Sequence, residues 1–176
     1  MWSSETRAAR RLQLALLLPL ALAGCGFALR GSNDLAYSAL LVQGQGGPLL
    51  QLLRRTLVAT TNARLVSDPK QAQAVLTLLH DSTSQTASAY NSDGTVAQFT
   101  LRERVAYALT APDGTVLIPR TELSLSSIMS YSTGVALGKA EEADLLYQGM
   151  RRQLVDRIIF QLGNFQPPAD AAAARP

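Results

Sequence analysis

VAQFTLRERVAYALTA, residues 96–111, alternates apolar and polar side chains along most of its length. Phe99, Leu101, Val105, Tyr107 and Leu109 fall on one side, and Gln98, Thr100, Arg102, Arg104 and Ala106 on the other. A period of two is the signature of a strand with one buried face. Glu103 breaks the apolar side, which places the end of the core near it. Working upstream, Asn91-Ser92-Asp93-Gly94 is a hairpin signal, and Ala74 to Ala89 reads as the preceding strand. Downstream, Pro112-Asp113-Gly114 makes a second turn and Thr115 to Tyr131 a third long strand. Pro119 cannot donate to a ladder and favours an edge position or a bulge there.

The flanks supply the second layer. Ala39 to Gln43 reads as a short buried strand closed by Gly44, Gly46 and Gly47, and Pro48 suits the first turn of a helix. Leu49, Leu50, Leu52, Leu53, Leu57 and Val58 form its apolar face, with Gln51, Arg54 and Arg55 mainly opposite. The helix fades around Thr60 to Asn62, and Ala63 to Ser67 is another short strand before an Asp68-Pro69 turn. Ala140 to Leu162 is a long helix with Glu141, Glu142 and Asp144 early and Arg151, Arg152 and Arg157 late, which suits the macrodipole. Leu146, Met150, Leu154, Ile158 and Leu162 make its stripe, broadened by Leu145 and Ile159, and Gly163 is the expected stop. No internal repeat is visible. The order is strand, helix, strand, three-strand meander, helix. It predicts an α+β fold, a two-layer α/β sandwich with both helices on one face of a mixed sheet.

The first 24 residues read as an export signal. Arg7, Arg10 and Arg11 precede an apolar run from Leu12 to Leu22, and small residues lead to Leu22-Ala23-Gly24-Cys25. The run is shorter than the ~20 residues that span a bilayer core, and Pro19 interrupts it, which argues against a permanent transmembrane anchor. Leu-Ala-Gly-Cys resembles a lipobox, in which the thiol is acylated and cleavage falls just before it. Cys25 is the only cysteine, so no internal disulfide can form. One acyl chain binds a membrane marginally and two or more bind firmly. Gly26, where Asp would favour inner-membrane retention, points to the outer membrane. The expected organisation is a cleaved signal at 1–24, a lipidated tether at 25–38, the α/β domain at 39–166 and a disordered tail at 167–176.

The chain has 16 basic and 13 acidic side chains; loss of Arg7, Arg10, Arg11 and Glu5 with the signal leaves 13 and 12. A near-neutral domain argues against bulk electrostatic binding to nucleic acid. Catalysis also looks poor. His80 is the only histidine, so metal sites built from several His or Cys ligands are not expected. A Ser-His pair using His80 is formally possible, without a Gly-x-Ser-x-Gly elbow. Glu141 and Glu142 belong to a helix's first turn, and Gly44 to Gly47 lacks the ending of a phosphate-binding P-loop. The remaining polar features are basic: Arg102 and Arg104 on one strand face, Arg120 after Pro119, and Lys139 between Gly138 and the last helix. Cations of this kind can meet the phosphates of an acylated ligand.

Several stretches carry a resemblance. Cys25-Gly26-Phe27-Ala28-Leu29-Arg30-Gly31 resembles the mature start of lipopolysaccharide-assembly lipoproteins, the LptE family. Gly-Pro-Leu at 47 to 49, Thr-Val-Leu-Ile-Pro at 115 to 119 and Val-Ala-Leu-Gly-Lys-Ala-Glu-Glu at 135 to 142 follow in the family's order. The resemblance implies two helices on a four-stranded sheet and a non-enzymatic outer-membrane lipoprotein with a covalent lipid on Cys25 (palmitate-type acylation) and no other cofactor or metal. It further implies a plug within the lumen of the LptD β-barrel that supports barrel assembly and binds lipopolysaccharide. One of the family's two basic positions for that binding matches Lys139. The other falls at the hairpin tip, where this sequence has Asn91, leaving Arg102, Arg104 or Arg120 to compensate. The alternative is a lipid-anchored scaffold or binding subunit of another cell-envelope complex.

Overall fold

In the computed structural model, residues 34–132, 134 and 136–166 are described. The expected signal, Cys25, most of the tether and the tail from Pro167 lie outside them. The elements run β1 (Ala39–Gly44), α1 (Pro48–Thr60), β2 (Arg64–Val66), a short 3-10 turn (Pro69–Gln71), β3 (Ala74–Tyr90), β4 (Val96–Thr110), β5 (Val116–Ser130) and α2 (Ala136–Asn164). They form one mixed sheet in the order β2-β1-β3-β4-β5. The sheet therefore has five strands, the number in the element order read from the sequence, where the resemblance implied four. The short edge strand Arg64–Val66, within the expected Ala63–Ser67 strand, pairs in parallel with β1 from Ala39↔Arg64 to Leu41↔Val66.

The meander follows from its turns. Asn91-Ser92-Asp93-Gly94-Thr95 and Ala111-Pro112-Asp113-Gly114-Thr115 close in the same way. The Asn91 and Ala111 amides donate to the Thr95 and Thr115 carbonyls, each at 2.8 Å. Asp93 and Asp113 accept from the Thr95 and Thr115 amides at 3.0 and 2.8 Å. Gly94 and Gly114 take φ of 82° and 90°, which a side chain would strain. The hydrogen bonds to Thr95 and Thr115 hold the Asp93 and Asp113 carboxyls below their usual range.

Two bulges change which residues face the helices. Leu78 pairs with Tyr107 and His80 with Ala106, so Leu79 is an extra residue in β3. The helix-facing set then switches from Ala74, Leu76 and Leu78 to Asp81, Thr83 and Gln85. In β5, Thr121 pairs with Tyr107 and Ile118 with Leu109, which leaves Pro119 and Arg120 in a bulge on an edge strand. Both places that Pro119 favours are thus realised together.

The core sits between sheet and helices. Leu49, Leu53 and Leu57 of α1 and Leu154 and Ile158 of α2 are fully buried against Leu76, Val105 and Tyr107. Two expected stripe members face out: Val58 is 59% and Leu145 66% exposed, while Val155 is buried in their stead. The core does not end at Glu103. A second cluster of Leu101, Met129, Ala143 and Met150 continues beyond it under the first half of α2. That helix starts at Ala136 and so includes Gly138 and Lys139; it also runs through Gly163, and Asn164 Nδ2 donates to the Phe160 carbonyl at 2.8 Å. Of the tether, Leu35 is buried in the core, and its amide donates to Asn62 Oδ1 at 2.8 Å.

Candidate functional site

Arg102 and Arg104 are brought together by the two-residue period of β4. Both are exposed on the sheet face that the helices leave open. Each stands between serines: Arg102 is paired across to Ser84 and Ser126, and Arg104 to Ser82 and Ser124. Small hydroxyl neighbours leave the guanidinium groups free to reach a ligand and supply further donors beside them. Arg120, in the β5 bulge, is exposed on the same face, further along the sheet and beyond Glu122. The result is a polar face of serines and threonines with three cations.

Lys139 lies elsewhere. It belongs to the first turn of α2, in the helix layer, and its Nζ is 2.6 Å from Glu142 Oε2. Its charge is partly answered within its own helix, and it does not converge with the three arginines. Asn91 is at the hairpin tip as expected, with its amide side chain donating to Thr95 Oγ1 at 2.9 Å.

His80 Nε2 is 3.0 Å from Ser82 Oγ, both on the open face of β3. The intervening Asp81 points the other way, beside Gly47 at the start of α1. The Ser-His contact therefore runs along one strand, and its neighbouring carboxyl is on the opposite side of the sheet.

One electrostatic centre joins two residues that the sequence reading noted separately and did not pair. Glu103 is fully buried, its Oε1 accepts from Arg151 Nε at 3.1 Å, and its Oε2 has no hydrogen-bond partner among the described residues. Arg151 lies 5.8 Å from the centre of the Tyr147 ring, and Tyr147 donates to the Ser84 carbonyl at 2.9 Å. Burial raises the Glu103 carboxyl above its usual range, opposed by the Arg151 hydrogen bond and charge. Burial also raises Asp81 against the pull of Arg151. Two carboxyls facing one guanidinium suit a structural clasp between α2 and the sheet. The signal in the sequence was a charge on the apolar period of each partner: Glu103 between Leu101 and Val105, and Arg151 between Tyr147 and Val155.

An open cleft of about 400 Å³ lies between β5 and the end of α2, lined mainly by Leu117, Ile118, Phe160 and Phe165. Tyr107 at its edge donates its hydroxyl to Gln161 Oε1, and burial raises the phenol above its usual range. Among the described residues there is no cluster of His, Cys, Asp or Glu able to hold a metal ion, and no helix long and apolar enough to cross a membrane.

The lipopolysaccharide-assembly family LptE matches residues 37–162, from just before β1 almost to the end of α2. The chain belongs to the LptE family. The LPS-assembly lipoprotein LptE of Photorhabdus laumondii is 31% identical over 156 residues, covering 85% of this chain and 84% of that protein. The protein of the same description from Yersinia enterocolitica is 29% identical, over 85% and 74%. Among solved structures, lipoprotein B from Nitrosomonas europaea superposes with a TM-score of 0.71 at 25% identity, over 80% of this chain and 92% of its own. The matched residues cover the sheet and nearly all of both helices, including the resembling stretches Gly47-Pro48-Leu49, 115–119 and 135–142.

Proposed function

We propose that this LptE-family chain is an outer-membrane lipoprotein, held by acyl chains on Cys25, that plugs the LptD β-barrel, supports its assembly and binds lipopolysaccharide on its way to the outer leaflet. The family match across the sheet and both helices carries this reading. Its physical support is the open sheet face: exposed serines, threonines and arginines suit the polar interior of an outer-membrane barrel, which an apolar face would not. A lipid tether keeps the domain in the barrel's own membrane and raises its effective concentration there. The protein is read as non-enzymatic, with no cofactor beyond its covalent lipid.

Lipopolysaccharide contact is assigned to Lys139 and to Arg102, Arg104 and Arg120 as separate groups, because they stand on different layers. At Lys139, an incoming phosphate would replace Glu142 as the partner of Nζ. Lys139→Glu should weaken binding of the intact chain to immobilised lipopolysaccharide while circular dichroism and barrel recovery stay unchanged. The Arg102→Ser/Arg104→Ser pair, measured in parallel, reports the open face. Unchanged binding in either variant removes those residues from the site.

A further inference from the structure

The helix α2 is held to the sheet at two places of unequal strength. Its second half gives Leu154, Val155, Ile158, Ile159 and Leu162 to the main core. Before Leu154, only Ala143 and Met150 are buried among the described residues, in the small cluster with Leu101 and Met129. Between Ala143 and Leu154 stands Gly149, where an added Cβ would meet nothing within 4 Å. Packing therefore does not call for a glycine there, and its backbone freedom makes the helix easier to break at that point. Beside this weak point, Tyr147 reaches from Arg151 to β3. Its ring centre is 5.8 Å from the guanidinium, and its hydroxyl donates to the Ser84 carbonyl at 2.9 Å. Ser84 follows Thr83, the cross-strand partner of Glu103, so Tyr147 and Arg151 lie over the stretch of sheet that holds this buried carboxyl.

The ionisable groups around Glu103 are Arg151 and Tyr147 on α2 and Asp81 on β3, with His80 beyond Asp81. The helix side of β5 brings Leu123 and Leu125 to this level, and α1 meets Asp81 with Gly47. One guanidinium thus serves two carboxyls, and Glu103 Oε2 is buried without a donor among the described residues. A proton is the partner this arrangement lacks, because a neutral carboxyl avoids burying a half-paired charge. We infer that Glu103 is the proton-binding element of a pH-sensitive latch, which holds the first half of α2 on the sheet when protonated and lets it hinge away at Gly149 as the proton is lost. Burial, only partly offset by Arg151, raises the Glu103 carboxyl in the closed form. Opening hydrates it and returns it to its ordinary range. The closed form is therefore favoured at low pH, and that advantage is lost as pH rises through the closed-form value. The hinged half carries Lys139, so the latch governs how firmly that cation is presented.

The test is amide hydrogen exchange of the full chain in detergent from pH 5 to pH 8, corrected for the intrinsic rate at each pH. Opening of Ala140 to Tyr147 should rise about tenfold per pH unit over at least one unit, as release of one proton requires. Leu154 to Leu162 should change by less than about threefold. Glu103→Gln keeps the shape but cannot titrate, and should flatten the profile. Gly149→Ala should reduce opening about fivefold at every pH. A flat wild-type profile overturns the latch. So does a slope that survives Glu103→Gln, which assigns the titration to Asp81 or His80. The carboxyl carbon shift of Glu103 in the wild-type chain reads the proton without a variant: its midpoint should lie above the ordinary 4.5 and match the exchange profile, and a midpoint at or below 4.5 overturns the latch. None of these readouts uses lipopolysaccharide or a barrel, so the latch stands or falls apart from the plug reading.

Discussion

Replacing Arg151 by Met should destabilise the domain in a strongly pH-dependent way. Glu103 is wholly inaccessible, and Arg151, about one-fifth exposed, is its only ion-pair partner among the described residues. Breaking a buried pair by removing one member costs about 3–5 kcal/mol, because an uncompensated charge stays behind. Glu103 can escape by taking a proton, which sets a ceiling. From an ordinary glutamate value of 4.5, protonation at pH 7 costs about 3 kcal/mol, and at pH 5 less than about 1 kcal/mol. Met keeps the aliphatic packing beside Tyr147, so the electrostatic loss dominates. The expected result is therefore a loss of about 3 kcal/mol at pH 7, or a melting point lowered by roughly 10 °C, shrinking to under about 1 kcal/mol at pH 5. The sign follows from linkage. The folded state holds the Glu103 proton to higher pH than the unfolded chain does, so the contribution is present at low pH and lost as pH rises through the folded value. Urea unfolding of the mature chain, followed by circular dichroism at both pH values, reads this directly. An equal loss at pH 5 and pH 7, or none at either, would refute the reasoning.

The other stability predictions concern packing. Leu154→Ala removes a fully buried side chain where α2 meets the sheet and should cost about 2–5 kcal/mol in the same unfolding assay, at either pH. Gly44→Ala should cost about 2 kcal/mol or more: Gly44 has φ of 155°, and an added Cβ would fall 2.8 Å from both Leu78 Cβ and its carbonyl oxygen. Gly46→Ala meets nothing within 4 Å and is the matched control.

The strands were legible because their signals are local. The alternation around Leu101, Val105 and Tyr107, the two Asp-Gly turns and the ladder-breaking Pro119 each act within a few residues. What escaped depends on distant parts of the chain. Glu103 looked like the end of the core because its partner Arg151 arrives from another element; with the pair formed, the apolar layer continues to Met129 and Met150. The strand at Arg64–Val66 was local and legible, but its parallel pairing with β1 was not. Lys139 seemed to precede the helix, but Gly138 beside it sits in open space and is accommodated within the first turn. Of the basic site, the pairing of Arg102 with Arg104 follows from strand period alone. Its separation from Lys139 follows from the layering, which neither residue's neighbours announce.

The central claim is that a lipid-tethered, non-enzymatic plug works inside a barrel host. Affinity purification of the full chain from detergent-solubilised outer membranes, followed by intact mass measurement, tests it most directly. The account predicts a chain beginning at an acylated Cys25, recovered one-to-one with a large outer-membrane β-barrel. A chain recovered alone from the periplasmic fraction, with a free Cys25 thiol, would contradict it.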